Sequence, residues 1–156
     1  MIKHVINDNG GSASAGAFTM HIQLGGTDVS GKSPFAGAES PGTQRTLNAG
    51  SYVVSESGGP NGYAASISGA CTTSGTVSLA PGDNKTCTIT NDDIAPKLHL
   101  RKEITNDNGG GAAATDWTLH ADGSGANDLS GSTPVDSGAT LQADTFALSE
   151  TGGPAG

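Results

Sequence analysis

Two cysteines and a set of polar residues in apolar phase are where this sequence could do chemistry. Cys71 and Cys87 enclose about 15 residues, and a disulfide closing a loop of that size contributes roughly 3 kcal/mol on chain-entropy grounds. Neither cysteine sits in a Cys-x-x-Cys pair, which makes metal binding the weaker use of them. A disulfide in turn implies an oxidising compartment, and so an extracellular location. The polar residues are equally specific in their placement. Lys3 is in phase with Val5, and Lys102 with Leu98, Leu100 and Ile104, so each lysine is expected to point toward a core. Glu56 is in phase with Tyr52 and Val54, Glu150 with Phe146 and Leu148, and Asn91 with Cys87 and Ile89. Unpaired groups of these types in an apolar interior carry a penalty of several kcal/mol. One outcome is a buried Lys–Glu salt bridge, with Asn91 hydrogen-bonded at a strand end.

Other chemistry is thinly represented. His21 and His120 occupy equivalent outward positions, where strand histidines are ordinarily just solvated. Asp8, Asp92, Asp93 and Asp107 fall near module ends, where calcium could rigidify a junction. No EF-hand or nonapeptide calcium pattern accompanies them, and turn formation explains them, so neither metal nor cofactor is expected. The sequence shows no Ser-His-Asp arrangement, no phosphate loop and no paired carboxylates of defined spacing. Seven Lys and Arg against fifteen Asp and Glu leave no basic patch for a nucleic-acid backbone. No apolar stretch approaches a membrane span. The sequon Asn84-Lys-Thr86 carries no information without its host.

The elements that must position these residues are repeated. Lys3-His-Val-Ile-Asn-Asp-Asn-Gly-Gly11 returns as Lys102-Glu-Ile-Thr-Asn-Asp-Asn-Gly-Gly110, and Phe18-Thr-Met-His21 as Trp117-Thr-Leu-His120. Leu, Ile, Val and Phe make only 25 of 156 residues, under the roughly 20% at which disorder becomes a concern. The apolar residues nevertheless alternate cleanly and the net charge of -8 is modest, so folded, thin-cored modules are expected, of the kind that lean on a cross-link. Twenty-five glycines and period-two alternation predict an all-β protein. Only 112–114 looks helix-friendly, and it is too short to count.

Strands are expected at 2–6, 17–24, 43–47, 51–56, 63–68, 75–79 and 85–90, with a loop over 25–41. This spacing suggests a Greek-key β-sandwich. The first repeat is assigned to 1–93, a short proline-bearing linker to 94–97 and the second repeat to 98–156, opening with a strand over 97–105. Gly156 aligns with Gly62, so the second repeat is expected to be incomplete, without counterparts of 63–93. Truncation accounts for this better than completion by a neighbouring chain. Each chain offers two copies of the first part of the module and one of the last, so no arrangement completes every module.

Tyr52-Val-Val-Ser-Glu56, the first-strand Lys3 and the terminal Thr-Ile-Thr-Asn91 resemble the Cna protein B-type, prealbumin-like modules of bacterial surface proteins. The Asn-Asp-Asn-Gly-Gly turn with paired cysteines is similar to a disulfide-bearing branch of them. The resemblance implies tandem prealbumin-like or Ig-like sandwiches, and a first-strand lysine that can condense with a last-strand asparagine beside a buried acid. Carried over, Lys3 is the nucleophile, Asn91 the acceptor and Glu56 the proton shuttle, in a single-turnover isopeptide bond. Burial favours the neutral lysine such a step needs. Lys102 and Glu150 are the second-repeat counterparts, without an asparagine partner. The function expected is a non-enzymatic structural repeat of an extracellular stalk, fibre or adhesin whose partners are neighbouring repeats or copies. The alternatives are a filament subunit completed by a neighbour's strands, and a module whose loops, 25–41 and 124–137, bind a host or matrix ligand.

Overall fold

The computed structural model describes residues 1–154; Ala155 and Gly156, at the end of the expected second repeat, lie outside the described residues. The chain is all-β and divides into two compact units, Met1–Ile94 and Ala95–Gly156. Among the described residues no helix is long and apolar enough to cross a membrane.

Unit 1 is a sandwich of two sheets. β1 (Ile2–Ile6), β8 (Cys87–Asp93) and β6 (Tyr63–Gly69) form one, in the order β1-β8-β6. The other has the order β3-β2-β5-β7, built from β2 (Phe18–Leu24), β3 (Thr27–Asp28), β5 (Gly50–Gly58) and β7 (Thr76–Leu79), with β4 (Phe35–Ala36) also pairing β2. From β5 to β8 the chain alternates between the sheets at every strand, so consecutive elements face one another across the core. Phe18, Met20 and Ile22 of β2 alternate inward, as their period predicts, and are nearly inaccessible. Tyr52, Val54, Val77 and Ile89 complete a core closed by the Cys71–Cys87 disulfide. That bond ties the β6–β7 connection to the first residue of β8.

The first and last strands of unit 1 are parallel neighbours, with Lys3 opposite Ile89 and Val5 opposite Asn91. This pairing brings residues at opposite ends of the unit's sequence side by side.

The segment 43–47, expected as a strand, forms none. Both edges of β5 are taken by β2 and β7, and Thr43 is tied instead to Met1, just before β1: Thr43 N donates to Met1 O at 2.8 Å and the Met1 N-terminus donates to Thr43 O at 3.1 Å. The adjacent Pro41 has no N–H with which to extend a ladder. Short strands β3 and β4 instead occupy part of the expected loop 25–41.

In unit 2, β10 (Trp117–Asp122) is flanked by β11 (Leu129–Ser132) and β13 (Ala147–Gly152), while β9 (His99–Leu100) pairs β12 (Val135–Asp136). Leu100, Leu119, Ala121 and Val135 form its core. Of the strand expected over 97–105, only His99–Leu100 is in a ladder. Its burial still alternates, with Leu100 buried, Lys102 and Ile104 half-buried and Arg101 and Glu103 exposed. The β1 ladder of unit 1 is made with β8, whereas among the described residues no strand pairs with 101–105 or covers that side of unit 2. The same fact explains why Leu148, placed inward by its phase, is 65% exposed, and why Glu150 is exposed as well.

Candidate functional site

Lys3 is fully buried, which its charge makes costly, and its surroundings are polar where it ends and apolar along its stem. Nζ donates to Asn91 Oδ1 at 2.7 Å, lies 3.4 Å from the Ile89 carbonyl and 3.3 Å from its neighbour's carbonyl at His4. Glu56 Oε2, on the facing sheet, is 3.2 Å from Nζ. That oxygen receives no hydrogen bond of good geometry among the described residues, so the contact is one of charge. Nζ also stands 4.3 Å from the centroid of the Phe18 ring, a favourable seat for a cation. Burial lowers the Lys3 pKa, and the Glu56 carboxylate offsets this only in part. The expected inward phase thus brings all three residues of unit 1 together, from β1, β5 and β8.

Gly37 covers the lysine stem. A Cβ there would press on the Ala15 backbone carbonyl and stand 2.8 Å from Lys3 Cγ and 2.9 Å from its Cβ, so only glycine lets the backbone close over this side chain.

The Asn-Asp-Asn-Gly-Gly turn has a partner that sequence reasoning missed. Asp93, at the end of β8, accepts from the backbone N–H groups of Asp8 and Asn9 at 3.0 Å each, and from that of Gly11. The Asn9 side-chain amide donates to the Asp93 carbonyl at 3.0 Å. Burial pushes the Asp93 carboxyl up, but the donors of Gly11, Asn9 and Asp8 outweigh it and hold the pKa below its ordinary value. The turn is therefore a nest for a carboxylate. Asp8, Asp92 and Asp93 each bring one ligand atom within 4.8 Å of the others; of these, Asp93 is already engaged by the turn. Tyr63 adds a second tie, donating to Asn7 Oδ1 and accepting from Ala13 N at 3.0 Å.

A match to the model of a SpaA-type prealbumin-like fold domain covers residues 1–89 and again 93–156. The chain belongs to this family. The resemblance carried by Lys3, Glu56 and Asn91 led to the same prealbumin-like fold. Comparison with curated proteins and with solved structures finds no match.

The second prealbumin-like unit keeps part of the arrangement. Lys102 Nζ lies 3.0 and 2.8 Å from the two carboxylate oxygens of Glu150 and 4.9 Å from the Trp117 ring centroid. Among the described residues no asparagine stands at Lys102 Nζ as Asn91 does at Lys3, and the Glu150 side chain is 44% exposed. One bond of the turn recurs: Asn106 Nδ2 donates to Ala112 O at 2.9 Å, as Asn7 Nδ2 does to Ala13 O at 3.0 Å.

His21 is not the freely solvated residue expected from its outward phase. Its Nδ1 is 2.9 Å from Asp28 Oδ2 and its Nε2 2.8 Å from Ser57 Oγ. The sequence pattern hid this Ser-His-Asp arrangement because it joins three strands, β3, β2 and β5. No local spacing announces it; the signal was that His21, Asp28 and Ser57 all face outward on adjacent strands.

Proposed function

We propose that this chain is a non-enzymatic structural part of an extracellular surface protein, a tandem array of modules that carries tension between neighbouring repeats. The observation that carries this reading is the 2.7 Å approach of Lys3 Nζ to Asn91 Oδ1 between parallel first and last strands. Pulling on the two ends of unit 1 draws β1 and β8 past one another, so every bond of their ladder is loaded together. A covalent link at this point would take that load.

The reaction requires Lys3 in its neutral form. Its Nζ attacks the side-chain carbonyl carbon of Asn91, a new C–N bond forms, the bond to the amide nitrogen breaks and ammonia leaves. Glu56 takes the proton from Nζ and returns it to the departing nitrogen. The lowered pKa of Lys3 and the placement of the Glu56 carboxylate support this assignment. The reaction occurs once per module and modifies only the module itself. The Cys71–Cys87 disulfide fits an oxidising, extracellular setting and anchors the start of the same β8 strand.

Single-molecule pulling on the non-reduced protein tests this function. Unit 2 should lengthen under load while residues between Lys3 and Asn91 add nothing. Unfolding of unit 1 with a gain of about 0.3 nm per residue over its length outside the loop closed by the Cys71–Cys87 disulfide would contradict the proposal.

A further inference from the structure

The outer face of the β3-β2-β5 sheet carries a chain of three hydrogen-bonded side chains. Asp28, His21 and Ser57 stand on three adjacent strands in diagonal register, with Gln23 opposite Asp28 and Thr19 opposite Ser57. Asp28 Oδ2 faces His21 Nδ1 at 2.9 Å, and His21 Nε2 faces Ser57 Oγ at 2.8 Å. A carboxylate only accepts, so in the neutral imidazole the proton sits on Nδ1 and Nε2 is left to accept the serine proton. We propose that Ser57 is an activated nucleophile, with His21 as its general base and Asp28 as a positioning residue, and that it takes the acyl group of activated carboxylic esters.

Exposure sets the nucleophile apart from the two residues behind it. The His21 and Asp28 side chains are 19% and 29% exposed, while Ser57 is open to solvent. Asp28 is itself fixed, since Ser33 Oγ donates to its Oδ1 at 2.9 Å while accepting from Ile22 N at 2.8 Å. The hydrogen bond from His21, joined by those of Ser33 and Gln23, holds the Asp28 carboxyl below its ordinary range despite some desolvation. In the reaction Ser57 Oγ attacks the ester carbonyl carbon and His21 takes the hydroxyl proton. The proton then passes to the departing alkoxide, leaving an ester on Ser57 and one free alcohol.

Unit 2 is an internal comparator. His120 Nε2 meets Thr151 Oγ1 at 3.0 Å, but its Nδ1 meets Ser130 Oγ at 3.1 Å and no carboxylate. A hydroxyl both donates and accepts, so it does not select the tautomer.

The test uses the whole chain with p-nitrophenyl acetate, followed by peptide mapping of the acetylated residue. The expected result is a burst of about one equivalent of p-nitrophenol, with acetate on Ser57 and none on Thr151. His21→Gln should slow acetylation by about 10²-fold, and Ser57→Ala should abolish the burst. Nitrogen NMR of wild type should show Nδ1 of His21 protonated and Nε2 bare, with the tautomers mixed in Asp28→Asn. Acetate spread over exposed hydroxyls, an unchanged rate in His21→Gln, or an Nε2-protonated ring in wild type would each overturn the proposal.

Discussion

Lys3 and Asn91 meet at 2.7 Å across a ladder that joins the start of unit 1 to its end. A buried ammonium is held there by one amide oxygen, one facing carboxylate and an aromatic ring, so the site depends on every member.

Removing the facing charge should therefore be expensive. In the Asn91→Ala background, where no link can form and Lys3 remains an ammonium, Glu56→Gln is expected to cost about 3–5 kcal/mol, because it leaves a buried charge without its counterion. Lys3→Met combined with Glu56→Leu should recover most of that loss. Chemical denaturation of the three proteins, followed by tyrosine fluorescence, checks both statements.

The equivalent change in unit 2 should be mild. Lys102 and Glu150 are bound as closely as Lys3 and Glu56, but in the presence of water, and pairs of that kind contribute at most about 1 kcal/mol. The single tryptophan of the chain, Trp117, lies in unit 2, so its fluorescence reports Glu150→Gln separately from events in unit 1.

The contrast also shows what alternation can and cannot reveal. The inward phase of Lys3, Glu56 and Asn91 was readable because period two fixes which face a side chain takes. Leu148 and Glu150 have the same phase and remain exposed, because a face is buried only where a second layer covers it. The segment 43–47 alternates too, yet both edges of β5, the strand that follows it, are taken by β2 and β7. His21, Asp28 and Ser57 were invisible for a different reason: cross-strand register, which places them together, is not written in local spacing.

Reducing the Cys71–Cys87 bond, or replacing both cysteines by alanine, should lower the stability of unit 1 by roughly 3 kcal/mol. Unit 2, which contains no cysteine, should unfold at an unchanged denaturant concentration in the Trp117 signal.

Asp93 makes unit 1 sensitive to acid. Its folded-state pKa is depressed by the turn donors, so its contribution is present above the unfolded value, near pH 4, and is lost as the pH falls through the folded value. Asp93→Asn should weaken unit 1 at neutral pH and flatten its loss of stability below about pH 4. Thermal melts between neutral and strongly acidic pH check the sign.

Gly37→Ala places a methyl against the Ala15 backbone carbonyl, its nearest neighbour, and against the stem of Lys3, at 2.8 Å from Cγ. A cost of about 1–3 kcal/mol is expected from overpacking, together with slower formation of any bond at Nζ, since the same methyl displaces the side chain that must react.

The most direct test of the Lys3–Asn91 link is the intact mass of the non-reduced wild-type protein, compared with that of Asn91→Ala. The account predicts that wild type falls short of its disulfide-bonded sequence mass by one ammonia, while the variant has its full sequence mass. A wild-type mass equal to the disulfide-bonded sequence would contradict it.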